Sequence, residues 1–174
     1  MEISIRQEKP EDIAAVFKLN VAAFPQDGEA KLVDALRRNS EVFIPELSLV
    51  AVSGNTVVGH ILFTMIKIIA ADGKEFESLA LAPMAVSPEF QKQGIGGLLI
   101  QAGLQKAKAS GFTSVIVLGH EHYYPKFGFE PTEKWQIKAP FDVPAAVFMG
   151  IELEDQALQN KSGTVQYPKE FEAV

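Results

Sequence analysis

The sequence predicts an α/β chain with a mixed sheet, in which an antiparallel meander of strands is followed by a β-α-β unit whose central strands run parallel. Three observations carry that expectation. In LSLVAVSGNTVVGHILFTMIKII, two β-rich runs flank Gly54-Asn55, the signature of a tight hairpin. A second turn at Asp72-Gly73 separates the later run from another apolar strand. A glycine loop then opens a helix marked by Ile95, Leu98, Leu99, Ala102 and Ala107, and the buried run FTSVIVLGH follows it. Strand, crossover helix and strand in that order require parallel pairing and a right-handed connection.

Taken in order, EISIRQ alternates as a short strand, and KPEDIAAVFKLNVAAF places Ile13, Val16, Phe17 and Val21 at helical spacing behind an acidic first turn. PQDGEAKLVDALRRN is a loop entering a second amphipathic helix with Leu32, Val33 and Leu36 inward, and Arg37 and Arg38 suit its C-terminal end. The three meander strands come next, then the glycine loop and its helix, which Gly111 is placed to terminate at C′. After the buried strand, EHYYPKFGF reads as a short helical or turn segment, and WQIKAP and AAVFMGIEL as two further strands. We expect one domain over residues 1–174, with a core over about 2–153 and a polar tail over 154–174 that wraps the surface.

At 174 residues and 47% hydrophobic content the chain can bury a substantial core. A net charge of -6 without a basic run argues against nucleic acid as a partner. The absence of Cys removes thiol catalysis, cysteine zinc sites and disulfides, and agrees with a reducing compartment. The charged start MEISIRQEKPED has no secretory apolar region, and no apolar run reaches membrane-spanning length. A cytoplasmic protein, with no membrane partner, is the expectation.

The loop QKQGIGG sits where a helix begins. Helix N-termini expose unpaired N–H groups and partial positive charge, so they suit phosphate, and glycine lets the backbone come close. A P-loop would need Lys-Ser/Thr after the glycines, where this chain has Leu98. A dinucleotide fingerprint would need a third glycine where Leu99 stands, early in a repeated β-α-β array. Both are disfavoured.

Gln91, Gly94 and Gly96 in Q-K-Q-G-I-G resemble the Q/R-x-x-G-x-G/A signature of the GCN5-related N-acetyltransferases. YYPKFGF, with Tyr124, Gly128 and Phe129, resembles that family's Tyr-x-x-x-Gly-Phe segment. The order of elements over about residues 2–153 is similar to the family's acyl-CoA N-acyltransferase fold, and GTVQYPKEF is similar to endings in a poorly characterised bacterial subgroup. The resemblance implies acetyl-CoA as co-substrate. It further implies that backbone N–H groups of Gln91, Lys92, Gln93, Gly94, Ile95 and Gly96, with Gly97, hold the coenzyme's diphosphate. Met84, Ala85 and Val86 would pair with its pantetheine arm as an added strand, Val86 most directly, and Lys92 would reach a phosphate or lie free in solvent.

The resemblance also aligns Tyr124 with the family's general acid. A phenol with an ordinary pKa of about 10 remains protonated at neutral pH and can hydrogen-bond a departing thiolate. Pro125 disfavours a long helix through Tyr124, so a short turn closing at Gly128 is the expected geometry, with Tyr123 as the alternative donor. His120 and His122 alternate like strand ligands without a third partner, so a metal site is not expected. His60 reads as a hydrogen-bonded sheet histidine. Glu29, Glu77 and His122 are candidates for assisting amine deprotonation. The acceptor pocket is expected near Phe24, Asp27 and Glu29 on one side and Trp135 and Phe141 on the other. The expected activity is direct, ternary-complex acetyl transfer to a primary amine of a small molecule or protein, by a monomer or homodimer. The alternative is an acyl-CoA-binding sensor or structural module with the same fold.

Overall fold

The computed structural model describes residues 2–173; Met1 and Val174, the ends of the expected domain, lie outside the described residues. The chain runs β1 (Ile3–Gln7), α1 (Ile13–Ala23), α2 (Gly28–Arg37), β2 (Phe43–Ser53), β3 (Thr56–Ile69) and β4 (Glu75–Val86). It continues through α3 (Ile95–Ala109), β5 (Ser114–Leu118), β6 (Glu130–Pro131), β7 (Ile137–Lys138), β8 (Phe148–Glu152) and β9 (Gly163–Gln166). The main sheet order is β1-β2-β3-β4-β5-β8-β6, antiparallel throughout except for the parallel β4/β5 pair at its centre. The meander and the crossover through α3 are therefore as the turn signals and spacing predict.

Local chemistry sets the helix limits. Phe24 precedes Pro25, which disfavours helical geometry, and it leaves α1 in an extended conformation with ψ 153°. At the end of α3, Gly111 takes φ +94°, with its N–H bonding the Lys108 carbonyl at 3.0 Å and the Phe112 N–H bonding that of Ala107 at 3.0 Å. The inward face of α1 is rotated from the expected one: Val16, Leu19 and Asn20 are buried, while Val21 is 42% exposed. Asn20 is tolerated there because its amide donates to the Val16 carbonyl at 3.0 Å. On α3, Ile95, Leu99, Ile100 and Ala107 are buried and Leu98 faces outward.

The sheet is packed on both faces. On one, α3 lies over Leu49, Ile61, Phe63, Leu79 and Val115. On the other, α1 and α2 cover Val50, Val52 and Leu62. Next to them Trp135, Ile137, Phe148 and Leu158 pack on Ile66, Ile68 and Ile116. The segment after residue 153, expected as a polar surface wrap, adds strand β9, which pairs antiparallel with β3 over Lys67 to Ile69 and parallel with β7. β2 pairs with β3 only as far as Thr64, so β9 satisfies backbone groups that would otherwise form an open sheet edge. Leu158 and Val165 from this segment are each 1% exposed.

Candidate active site

A break in the sheet creates the site. Between Ile61/Met84 and Phe63/Leu81 the β3/β4 register gains one residue on β4, a bulge that includes Pro83. A bulge bends its strand. β4 and β5 are paired at Leu79/Val115 and Ala80/Ile116, and beyond that point β5 continues to Leu118 along β8 while β4 continues to Val86 along β3. The two central strands thus part company, and Met84, Ala85 and Val86 lie on a β4 edge with no β5 partner. Helix α3 begins beside this opening.

The first turn of α3 has no side-chain cap, because Gly94 occupies the N-cap at φ +83°. The first intrahelical bond closed there runs from the Leu98 N–H to the Gly94 carbonyl at 3.1 Å. The amides of Ile95, Gly96 and Gly97 precede it, so they are the turn's unpaired donors in the sense that any helix start has them. Just upstream, Lys92 adopts φ +64°, a left-handed conformation that side chains disfavour and that here folds the loop back. The Gln91 side chain ties the loop to the strand by donating to the Val86 carbonyl at 3.1 Å.

Of the residues expected to bind coenzyme, Met84, Ala85, Val86, Gln91, Lys92, Gly94, Ile95 and Gly96 line one cavity of about 550 Å³, together with Ala23, Phe24, Phe90, Tyr123 and Lys126. Gln93 and Gly97 belong to the same loop but not to the cavity wall. Gly97 instead meets Phe127, whose Cζ would lie 3.4 Å from a Cβ at that position. Gly96 is short of room for a different reason than a bound phosphate: its Cβ would fall 2.9 Å from the Tyr123 hydroxyl and 3.3 Å from Met84 Cε. Ala23, Phe90 and Lys126 join the wall without belonging to either sequence signature's fixed positions. Lys126 sits one residue past Pro125 inside the aromatic motif, a position that a search for phosphate cations near the glycine loop passes over.

The aromatic segment forms a 3-10 turn, Tyr124–Phe127, closed by Gly128 at φ +102°. This is the short turn that Pro125 implies. Tyr123 is half-buried and faces the cavity, whereas Tyr124 is 8% exposed and packs edge-on against Phe129, with ring centroids 5.6 Å apart. Gly119, at the end of β5, is the other wall for Tyr124: a Cβ there would fall 2.3 Å from its Cε2. Burial pushes the Tyr124 phenol up to about 12, with Tyr123 adding to the shift, and burial raises Tyr123 as well. Both phenols are therefore neutral hydrogen-bond donors at physiological pH.

The remaining candidates are dispersed. His60 is fully buried, its Nε2 2.9 Å from Ser48 Oγ, as a sheet histidine should be. The His122 side chain is 92% exposed, with Glu121 3.7 Å away, and no group of three or more His, Cys, Asp or Glu among the described residues is arranged to hold a metal. Glu77 pairs across strands with Lys67, toward the opposite end of β4 from Val86. Asp27 makes an exposed ion pair with Lys31 at 3.1 Å, while Glu29 Oε1 is buried without a partner among the described residues. Phe24 reaches the wall of the same cavity, Trp135 is core, and Phe141 stacks on Tyr167 at 6.2 Å. No helix among the described residues is long and apolar enough to cross a membrane.

Comparison with known proteins bears on this cleft. The chain is 39% identical over 137 residues to the uncharacterized N-acetyltransferase YjhQ of Escherichia coli K12, covering 76% of this chain and 73% of that protein. It is 30% identical over 168 residues to the uncharacterized N-acetyltransferase YhbS of the same organism, covering 96% and 97%. The crystal structure of the GNAT family N-acetyltransferase YhbS from Escherichia coli, in complex with CoA, matches at TM-score 0.90 and 28% identity over 99% of this chain and 93% of that one. A GNAT family acetyltransferase from Brucella melitensis, in complex with acetyl-CoA, matches at TM-score 0.78 and 30% identity over 98% of each chain. The model of the acetyltransferase (GNAT) family matches residues 13–129, from the first helix through the parted strands and glycine loop to the aromatic turn. The stretch that builds the cleft is the stretch that defines the family, and the chain belongs to the acetyltransferase (GNAT) family.

Proposed function

We propose that this chain is an N-acetyltransferase that moves the acetyl group of acetyl-CoA to a primary amine, of a small molecule or a protein, by direct attack in a ternary complex. The observation that carries this reading is the single cavity in which the unpaired β4 edge and the uncapped start of α3 meet. The amides of Gly94, Ile95, Gly96 and Gly97, with those of Gln91, Lys92 and Gln93, suit a diphosphate. The edge at Met84, Ala85 and Val86 suits the amides of a pantetheine arm, in the manner of strand addition. The CoA and acetyl-CoA complexes of the two structural relatives support this assignment.

In the reaction, the neutral amine nitrogen attacks the thioester carbonyl carbon, a C–N bond forms, the C–S bond breaks and its electron pair leaves on sulfur. The amine surrenders its surplus proton to solvent, and the thiolate receives one. Tyr124, packed beside the cavity rather than lining it, is the proposed hydrogen-bond donor to that sulfur, with Tyr123, which lines the cavity, as the alternative. With the Tyr124 phenol near 12 and a thiol near 8.5, complete transfer is uphill by roughly 5 kcal/mol. Its contribution is accordingly a hydrogen bond to the developing thiolate, which later picks up a solvent proton.

The test is thiol release from acetyl-CoA across a panel of amines, amino acids and peptides, with CoA affinity measured in parallel. Tyr124→Phe is expected to lower turnover on the best acceptor by roughly tenfold to a hundredfold, the loss of one hydrogen bond to a charged atom, with CoA affinity unchanged. If Tyr123→Phe loses the rate and Tyr124→Phe keeps it, the donor is Tyr123. Tight CoA binding with no acceptor anywhere in the panel would overturn the enzyme in favour of a binding module.

A further inference from the structure

The coenzyme cavity has a second wall, which the glycine-loop signature does not describe. The turn that carries Tyr124 also carries Lys126, whose exposed side chain lines the same cavity as Lys92, Gly94 and Gly96. The ammonium of Lys126 lies 4.5 Å from the centroid of the Tyr123 ring, a cation–π contact that limits where so flexible a side chain can go. Tyr123 is fixed in turn: its hydroxyl rests over Gly96, its ring meets Tyr124 at 5.2 Å and Phe127 at 5.3 Å, and all three aromatics belong to one packed group. Among the described residues Lys126, like Lys92 on the glycine loop, takes part in no ion pair. A positive charge is thus held beside a row of backbone amides, across a cavity rather than along a helix. That combination suits a phosphate gripped from two sides, by oriented N–H dipoles on one and a full charge on the other.

We infer that Lys126, steadied by Tyr123, is a phosphate-binding residue of the coenzyme site and completes from the aromatic turn what the glycine loop begins. The inference rests on the acetyl-CoA reading above. The phosphate concerned is either the diphosphate or the 3′-phosphate of the coenzyme, which share the same chemistry, and the experiment separates them.

Calorimetric titrations of the full chain with CoA and with 3′-dephospho-CoA, at low and at 0.5 M salt, compare wild type with Lys126→Gln and Lys126→Glu. Because the residue is exposed, neither variant threatens folding. Lys126→Gln is expected to weaken CoA about fivefold at low salt, the upper end for an exposed ion pair, with Lys126→Glu weaker still and the difference shrinking at high salt. Equal losses for both ligands assign Lys126 to the diphosphate, and a loss confined to CoA assigns it to the 3′-phosphate. Either supports the inference. Wild-type binding of CoA that neither substitution alters by as much as twofold overturns it and leaves the coenzyme site standing. Failure of the wild type to bind CoA overturns the coenzyme reading itself.

Discussion

Acidification should destabilise this protein through His60 before its carboxylates titrate. The imidazole is fully buried, its Nε2 2.9 Å from Ser48 Oγ, and Ser48 donates its own proton to Glu8 Oε1 at 3.2 Å. Glu8 is held by Arg37 at 2.6 Å, so the Ser48 oxygen is left to accept from an Nε2–H, which makes the ring the neutral Nε2 tautomer. Burial, with the Arg37 charge as a smaller cause, holds His60 at about 3, against 6.5 in the unfolded chain. Between those values the unfolded state binds a proton that the folded state refuses, so stability rises with pH. The contribution is fully present above about pH 6.5 and is lost as pH falls. At pH 5 the loss is about 2 kcal/mol, and at pH 3 it is about 4 kcal/mol, a large part of the 5 to 15 kcal/mol typical of a domain. Asp12, held low by its hydrogen bond from Arg6, loses stability in the same direction but only below its ordinary value of 3.8. Urea unfolding at pH 7, 6 and 5 should therefore show a slope that His60→Gln, which keeps a donor for Ser48 but cannot titrate, abolishes. Parallel pH dependence in the two proteins would refute the assignment.

Two further predictions concern packing at the cleft and under the tail. Gly119→Ala drives a methyl to within 2.3 Å of the Tyr124 ring, so it should cost about 1–3 kcal/mol in chemical denaturation and depress turnover in step with Tyr124→Phe. Unchanged stability and rate would mean that the ring moves aside freely. Leu158→Ala, in the segment beyond residue 153, should destabilise by about 2–5 kcal/mol, since the side chain is 1% exposed beside Trp135 and Phe148. A value under about 1 kcal/mol would mean that this segment is an appendage to the core.

Much of this was legible in the chain because local chemistry fixes it. Gly54-Asn55 and Asp72-Gly73 turned where turns were expected, and Gly111 ended α3 by the left-handed geometry that favours glycine. The loop from Gln91 to Gly97 and the turn at Pro125 also follow from residue type and order. Less legible were the facings. Val21 and Leu98 fit a helical period yet point outward, because the neighbours available to each helix select one stripe among several apolar ones. The tail looked polar, and nothing in its own composition announces that an unpaired stretch of β3 awaits it.

The sequence by itself determined the order of the elements and the place where a helix starts on bare glycine, since backbone conformation, turn chemistry and apolar period act over a few residues. Only the tertiary structure decided that β4 parts from β5 beyond Ala80, that Tyr123 rather than Tyr124 faces the cavity, and that Lys126 comes to stand across from the glycine loop. Those are relations between segments some thirty residues apart, set by how strands diverge and side chains compete for one space, and no local preference encodes them.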